Sequence, residues 1–185
     1  MTRKTIVICL FFSLFNPLQA ALKEEIILNL KKTNNLTFDF KQTIDKKTEE
    51  GSCIIEYPKK IYCIYNNYKK KIIISNVKTL FIKNQNNNQY YRYSLKKTPL
   101  DLILNKDLLI EKMLDLNGKL IDDKYYNFSI KNNENKINIF FDKKSYDLIG
   151  WQTEDIYQNL VITFIYNIEK NKKIDEKLFK LPKLN

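Results

Sequence analysis

Gly51-Ser52-Cys53-Ile54-Ile55-Glu56-Tyr57-Pro58-Lys59-Lys60-Ile61-Tyr62-Cys63-Ile64-Tyr65 reads as two β-strands folded back about Tyr57-Pro58-Lys59. An X-Pro step between two runs of β-branched and aromatic residues marks a turn, because proline cannot extend the ladder. If Glu56 faces Lys60 across that turn, Cys53 faces Cys63. The charged pair belongs in water, so the alternate set, Cys53, Ile55, Tyr57, Ile61, Cys63 and Tyr65, points to the interior. Two readings of the cysteines stay open: a cross-strand disulfide, which a one-residue slip in register would prevent, or two small buried hydrophobes.

The same alternation extends outward from this hairpin. Phe38, Phe40, Gln42 and Ile44 alternate with Thr37, Asp39, Lys41 and Thr43, giving one apolar and one wet face. Further strands are predicted over 70–76, 79–84, 88–95, 124–131, 135–142, 147–155 and 159–168, joined by turns such as Asn66-Asn67, 84–88 and Asn132-Asn133. Leu80, Ile82, Trp151, Ile162 and Phe164 also become interior candidates, although their strands are apolar on both sides and parity decides little. Many hairpins in one small domain imply a strongly curled antiparallel sheet, and the fold class is α+β, mainly β.

Three helices interrupt or precede the strands. Residues 22–33 carry Leu22, Ile26, Ile27 and Leu30 at helical spacing, ending at Asn34-Asn35. Thr98-Pro99-Leu100-Asp101 has an N-cap residue, a proline at the first helical position and an acid close to capping-box spacing. Leu100, Ile103 and Leu104 then form one stripe, and a second helix containing Met113 is predicted over 107–116. Helices inserted mid-sheet would lie across its concave face, either packed solid or roofing a cavity.

The ends and the composition limit the chemistry. Residues 1–20 read as a secretory signal peptide: basic Arg3 and Lys4, an apolar run from Thr5 to Phe15, then Pro17 and cleavage after Ala20. Cys9 lies in the middle of the apolar run, so no lipid anchor is expected, and residues 21–185 form a single exported domain with Cys53 and Cys63 in an oxidising compartment. The formal charge is +11, from 32 basic and 21 acidic residues, but only Arg3 and Arg92 are arginines. That Lys-rich balance argues weakly for phosphate or base recognition. With no histidine, a Ser/His/Asp or Cys/His nucleophile system and a His-ligated zinc are ruled out. Three glycines leave no room for a phosphate-cradling loop. No cofactor, no metal and no catalytic residue is expected.

The order of motifs resembles the outer-membrane lipoprotein carrier family, the LolA-like proteins. Phe38-Asp39-Phe40-Lys41-Gln42 is similar to that family's opening strand, and Gly51 leads into a strand ending at Tyr57-Pro58. Ile74-Ser75-Asn76-Val77-Lys78-Thr79-Leu80 resembles its S-[DN]-G-K-x-L hairpin, Thr98-Pro99-Leu100 its T-P-[LF] helix start, and Phe179 to Pro182 its terminal F-x-x-P. The resemblance implies an unclosed β-barrel under a helical lid, with an apolar cavity for the acyl chains of lipoproteins. It also implies a soluble periplasmic monomer that takes cargo from an inner-membrane ABC transporter and passes it to an outer-membrane acceptor lipoprotein, without enzymatic activity. In this reading Phe38, Phe40, Ile55, Tyr57, Ile61, Cys63, Tyr65, Leu80, Ile82, Trp151, Ile162 and Phe164 line the cavity, and Thr98, Pro99, Leu100, Ile103, Leu104 and Met113 belong to the lid. Two departures stand out. The family's arginine before this proline, hydrogen-bonded to the lid, is here Tyr57, a phenol with one donor, and Ile61 and Cys63 replace aromatic residues after the turn.

Other readings carry less. A lipid-sensing module docking on a membrane signalling protein would keep the fold but normally needs a further domain. A secreted binder of nucleic acid or another anionic surface would use Tyr90, Tyr91 and Tyr93 around Arg92 as a stacking platform. Asp122-Asp123 and Glu154-Asp155 are adjacent in sequence, so on a strand each pair would split between two faces rather than share a pocket.

Overall fold

A computed structural model describes residues 17–67, 70–84, 86, 89–132, 135–155 and 158–182. The expected signal sequence up to residue 16, and part of the turns expected at 84–88 and Asn132-Asn133, lie outside the described residues. The described chain opens with helix α1 (Pro17–Lys32), which begins earlier than its apolar spacing implies and runs through the expected cleavage point. Strands β1 (Asn35–Ile44), β2 (Lys47–Glu56), β3 (Lys60–Tyr65), β4 (Lys71–Asn76), β5 (Thr79–Asn84) and β6 (Tyr90–Ser94) follow as consecutive hairpins. Next come a 3-10 turn (Leu95–Lys97), the single-turn helix α2 (Leu100–Ile103) and helix α3 (Lys106–Leu114). Strands β7 (Lys119–Ile121), β8 (Tyr125–Asn132), β9 (Asn135–Asp142), β10 (Leu148–Glu154) and β11 (Leu160–Lys170) complete the sheet, and a second 3-10 turn (Glu176–Phe179) packs near the end.

All eleven strands form one antiparallel sheet in the order β6-β5-β4-β3-β2-β1-β11-β10-β9-β8-β7. It is not closed: β6 and β7 are its two edges, and the segment that joins them in sequence is the helical one. The lid therefore spans the gap of the open barrel because the chain must cross that gap to continue. The fold is mainly β with few helices, an unclosed barrel. Among the described residues no helix is long and apolar enough to cross a membrane.

The two halves of the concave face are filled differently. On the β8–β10 side, Tyr126, Phe128, Ile130, Ile137, Ile139, Phe141 and Leu148 are buried in one cluster with Leu109 and Met113 of α3 and Ile26 and Leu30 of α1. At about 25 cal/mol per Å² of apolar surface removed from water, such side chains contribute about 1.5–3 kcal/mol each. Gly118 is required there, since a Cβ would stand 2.4 Å from the Tyr126 ring. On the β1–β5 side the concave residues form a wall with space in front of it. An Asn29–Asp147–Lys170 cluster clips α1 to the sheet: Asn29 Nδ2 donates to Tyr146 O and to Asp147 Oδ1 at 2.9 Å each, and Lys170 Nζ to Asp147 Oδ1 at 2.6 Å.

Two local expectations are corrected. Thr98 does not cap α2: its hydroxyl donates back to Leu95 O at 2.8 Å, because the preceding 3-10 turn leaves that carbonyl in reach, and Pro99 takes the cap position. Asp101 makes no capping box, being drawn to Lys59 instead. Strand β7, three residues long, has no readable period in the sequence; Asp122 and Asp123 behind it sit in a turn with positive φ, not on a strand.

Candidate functional site

Register builds the cavity wall. Pairing places Phe38, Cys53, Cys63, Ile73 and Ile82 in one row across β1 to β5, all on the concave face. The neighbouring row toward α1 is Leu36, Ile55, Ile61, Ser75 and Leu80. Cys53 and Cys63 are opposite each other, Cα–Cα 4.1 Å, and joined by a disulfide, which ties β2 to β3 within the wall. Phe40 lies over Gly51, where a Cβ would come within 2.8 Å of the ring, and meets Tyr65 edge-on at 4.7 Å between centroids. Glycine is needed at 51 because a Cβ would stand 2.1 Å from the Ile64 carbonyl oxygen and against the Phe40 ring.

In front of this wall is a cavity of about 330 Å³. It is lined by Phe38, Phe40, Ile61, Cys63, Tyr65, Leu80 and Ile82 from the wall, Trp151 from β10, and Thr98, Pro99, Leu100 and Ile103 from the lid. Those twelve expected residues are brought together. Its size is at the lower end of the range of about 300–1,000 Å³ typical of small-molecule sites.

Four expected wall residues stand elsewhere, and two expected lid residues, Leu104 and Met113, lie in the helical segment without facing the cavity. Phe164 and Ile162 point outward, and Phe164 is 44% exposed; β11 instead turns Val161, Thr163 and Ile165 inward. The strand is apolar on both faces because the convex face holds an aromatic cluster, Phe164 stacked on Phe140 at 6.1 Å and beside Tyr125 at 6.5 Å. Ile55, Leu104 and Met113 are fully buried in the solid core and do not reach the cavity. Tyr57 packs against that core beneath Lys106, whose Nζ is 5.6 Å from the ring centroid. The Tyr57 hydroxyl is enclosed with no hydrogen-bond partner among the described residues, and burial pushes its pKa up.

The lid is instead fastened two residues further along the turn. Lys59 N donates to Leu104 O at 2.7 Å, and Lys59 Nζ pairs with Asp101 of α2 at 2.9 Å. Asp101 is buried, so the pair is shielded and its charges act through little solvent. Lys59 adopts φ 65°, and its carbonyl accepts from Ser75 Oγ at 2.9 Å and Val77 N at 3.1 Å, fixing it to the β4–β5 hairpin. Nothing in the local sequence distinguishes Lys59 from the many other lysines; only the left-handed turn after Pro58 aims it at α2.

Away from the lid the lining becomes polar: Gln42, Lys71, Thr153, Glu154, Asp155 and Thr163 border the cavity, with Val161 among them. Glu154 and Asp155 share this border, against the split expected on a strand, because β10 ends at Glu154. Strand parity places Gln42 on the same face as Phe38 and Phe40. Thr163 and Lys71 escape sequence reasoning, since inward polar residues carry no hydrophobic signal. Among the described residues no group of three or more acidic, cysteine or histidine side chains is placed to hold a metal.

The family model for the outer membrane lipoprotein carrier protein LolA matches residues 31–182. No curated protein sequence matches the chain. Among solved structures, an uncharacterized conserved protein of Thermus thermophilus aligns at 5% identity with TM-score 0.53, covering 89% of this chain and 94% of that one. A LolA superfamily protein of Nitrosomonas europaea aligns at 9% identity and TM-score 0.47, over 88% and 97%. A putative outer membrane lipoprotein-sorting protein domain of Vibrio parahaemolyticus aligns at 10% identity and TM-score 0.49, over 88% and 96%.

Proposed function

The chain belongs to the LolA family of outer-membrane lipoprotein carriers, and from that premise we propose that it shields the acyl chains of lipoproteins in transit through the periplasm. It takes them from an inner-membrane ABC transporter and passes them to an acceptor lipoprotein on the outer membrane, acting as an exported monomer after loss of residues 1–20 and without catalysis. The observation that carries this reading is the apolar cavity between the β1–β5 wall and α2, roofed by the one segment that bridges the sheet's free edges.

The energetics fit a carrier. Each acyl methylene exposed to water costs about 0.8 kcal/mol, so a lipid anchor leaves a membrane only into another apolar enclosure. An apolar wall holds chains without directional bonds, so a better-matched acceptor can withdraw them. The closed cavity is small for several chains, so loading requires α2 to swing away and Lys59 to release Asp101.

The test is retention. Purified protein mixed with a detergent-solubilised triacylated lipoprotein and then diluted below the critical micelle concentration should keep the lipoprotein in the supernatant. Leu100→Asp, at a partly buried lid position facing the cavity, places a carboxylate against the chains and should abolish retention with circular dichroism unchanged. Retention should be nearly insensitive to salt between about 50 and 500 mM, whereas binding through the net positive charge would fall steeply. Failure of the unmodified protein to retain any lipoprotein overturns the proposal.

A further inference from the structure

We propose that the polar end of the cavity is a subsite for the uncharged carbonyl linkage of an acyl chain, an ester or amide, and that it turns away anionic heads. This rests on the carrier reading and adds which acylated molecules the cavity admits.

The concave face changes character along β1. Phe38 and Phe40 belong to the apolar wall, and Gln42 follows on the same face, about 14 Å from Phe38 at roughly 3.4 Å per residue. Across the sheet Gln42 is paired with Glu49 of β2 and Thr163 of β11. Its Nε2 donates to Thr163 Oγ1 at 2.9 Å, and Tyr65 OH donates to its Oε1 at 3.2 Å. A carboxamide has two N–H groups and two lone pairs on oxygen, and these bonds engage one of each. Gln42 thus presents a donor beside an acceptor to whatever lies at the mouth, held in place by two partners.

Among the described residues, the cation that lines this end, Lys71, is already paired. Lys71 Nζ forms an ion pair with Glu49 and lies 3.6 Å from the centroid of the Tyr65 ring. Glu49 also accepts from Asn67 Nδ2 at 2.7 Å. Asp155 borders the same mouth, its carboxylate accepting from Asn159 N at 2.9 Å and Asn159 Nδ2 at 3.0 Å. A carboxylate or phosphate entering here meets a cation already neutralised and two further carboxylates, Glu154 and Asp155, so among the described residues it would lose hydration without gaining a counter-charge. An ester or amide carbonyl needs only one donor, which Gln42 supplies. The geometry therefore suits a chain whose tail lies against Phe38 and Ile103 and whose linkage to the carried polypeptide sits at the opening.

The experiment uses the full mature chain carrying Nile red in the cavity, titrated at pH 8 with methyl decanoate and with decanoate, which share the ten-carbon acyl chain and present a neutral methyl ester or a carboxylate as the head. The ester should displace the dye at a concentration at least tenfold lower than the carboxylate. Glu49→Gln, which keeps the shape but frees Lys71, should bring the two within threefold by improving decanoate. Gln42→Leu should weaken the ester about tenfold. Equal displacement by both ligands in the unmodified protein, or an unchanged ratio in Glu49→Gln, overturns the subsite while leaving the carrier reading intact. Absence of any dye or ligand binding overturns the carrier reading as well.

Discussion

Single residues already separate what this chain shares with its family from what it has changed. Val77 occupies the position where the S-[DN]-G-K-x-L hairpin has glycine, and it adopts φ 86° with its side chain exposed. A β-branched residue is strained there, and little packing is lost by removing it. Val77→Gly should therefore stabilise the protein by about 1 kcal/mol, read as a higher urea midpoint at unchanged slope. Tyr57 replaces the family's lid arginine but leaves an enclosed hydroxyl without a partner among the described residues. Tyr57→Phe should be neutral or stabilising by up to about 1 kcal/mol in the same assay, whereas a hydroxyl that fastened the lid would make it destabilising. At this scale parity is a good guide wherever one face is charged, as at Glu56 and Lys60. It fails at Ile162 and Phe164, because convex aromatic stacking makes both faces of β11 apolar.

Among the elements, α2 is the one whose behaviour decides access. It is a single helical turn, too short to hold itself together, so its position depends on the Lys59 contacts. Asp101→Asn keeps the size of the side chain but removes the charge. It should speed amide hydrogen exchange in residues 100–104 at least tenfold while β1 and β11 exchange as before, and it should quicken dye entry into the cavity. Equal exchange in the two proteins would mean that packing alone keeps α2 in place. The strands are legible in the sequence because each hairpin repeats the same wet and dry alternation. The start of α2 is legible from Pro99, but its fastening is not, since Lys59 and Asp101 lie far apart in the chain and meet only through the turn after Pro58. The inward polar groups at the mouth, Thr163 and Lys71, are equally hidden, since their value lies in partners on other strands.

For the whole molecule, the clip formed by Asn29, Asp147 and Lys170 joins the first helix to the last strand. Burial acts to raise the Asp147 pKa, but hydrogen bonds from Lys170, Asn29 and Ser145 outweigh it and hold the carboxyl below the ordinary value of 3.8. A lowered folded value means that the contribution is complete above that ordinary value and is lost as pH falls through the folded one. The stability difference between the unmodified protein and Asp147→Asn should thus be constant from pH 7 to 5 and close as the pH drops below about 4, followed by urea denaturation at each pH. The sheet order has a separate consequence for assembly. Because β1 lies against β11, the first and last strands of the sheet are neighbours at its centre, and the strands between them in sequence supply both rims. No fragment that stops short of β11 can join the left and right halves, so the trough is completed only once β11 has docked between β1 and β10. Until then the inner border of β1 remains an unfilled docking edge, and a guest has nothing yet to enter.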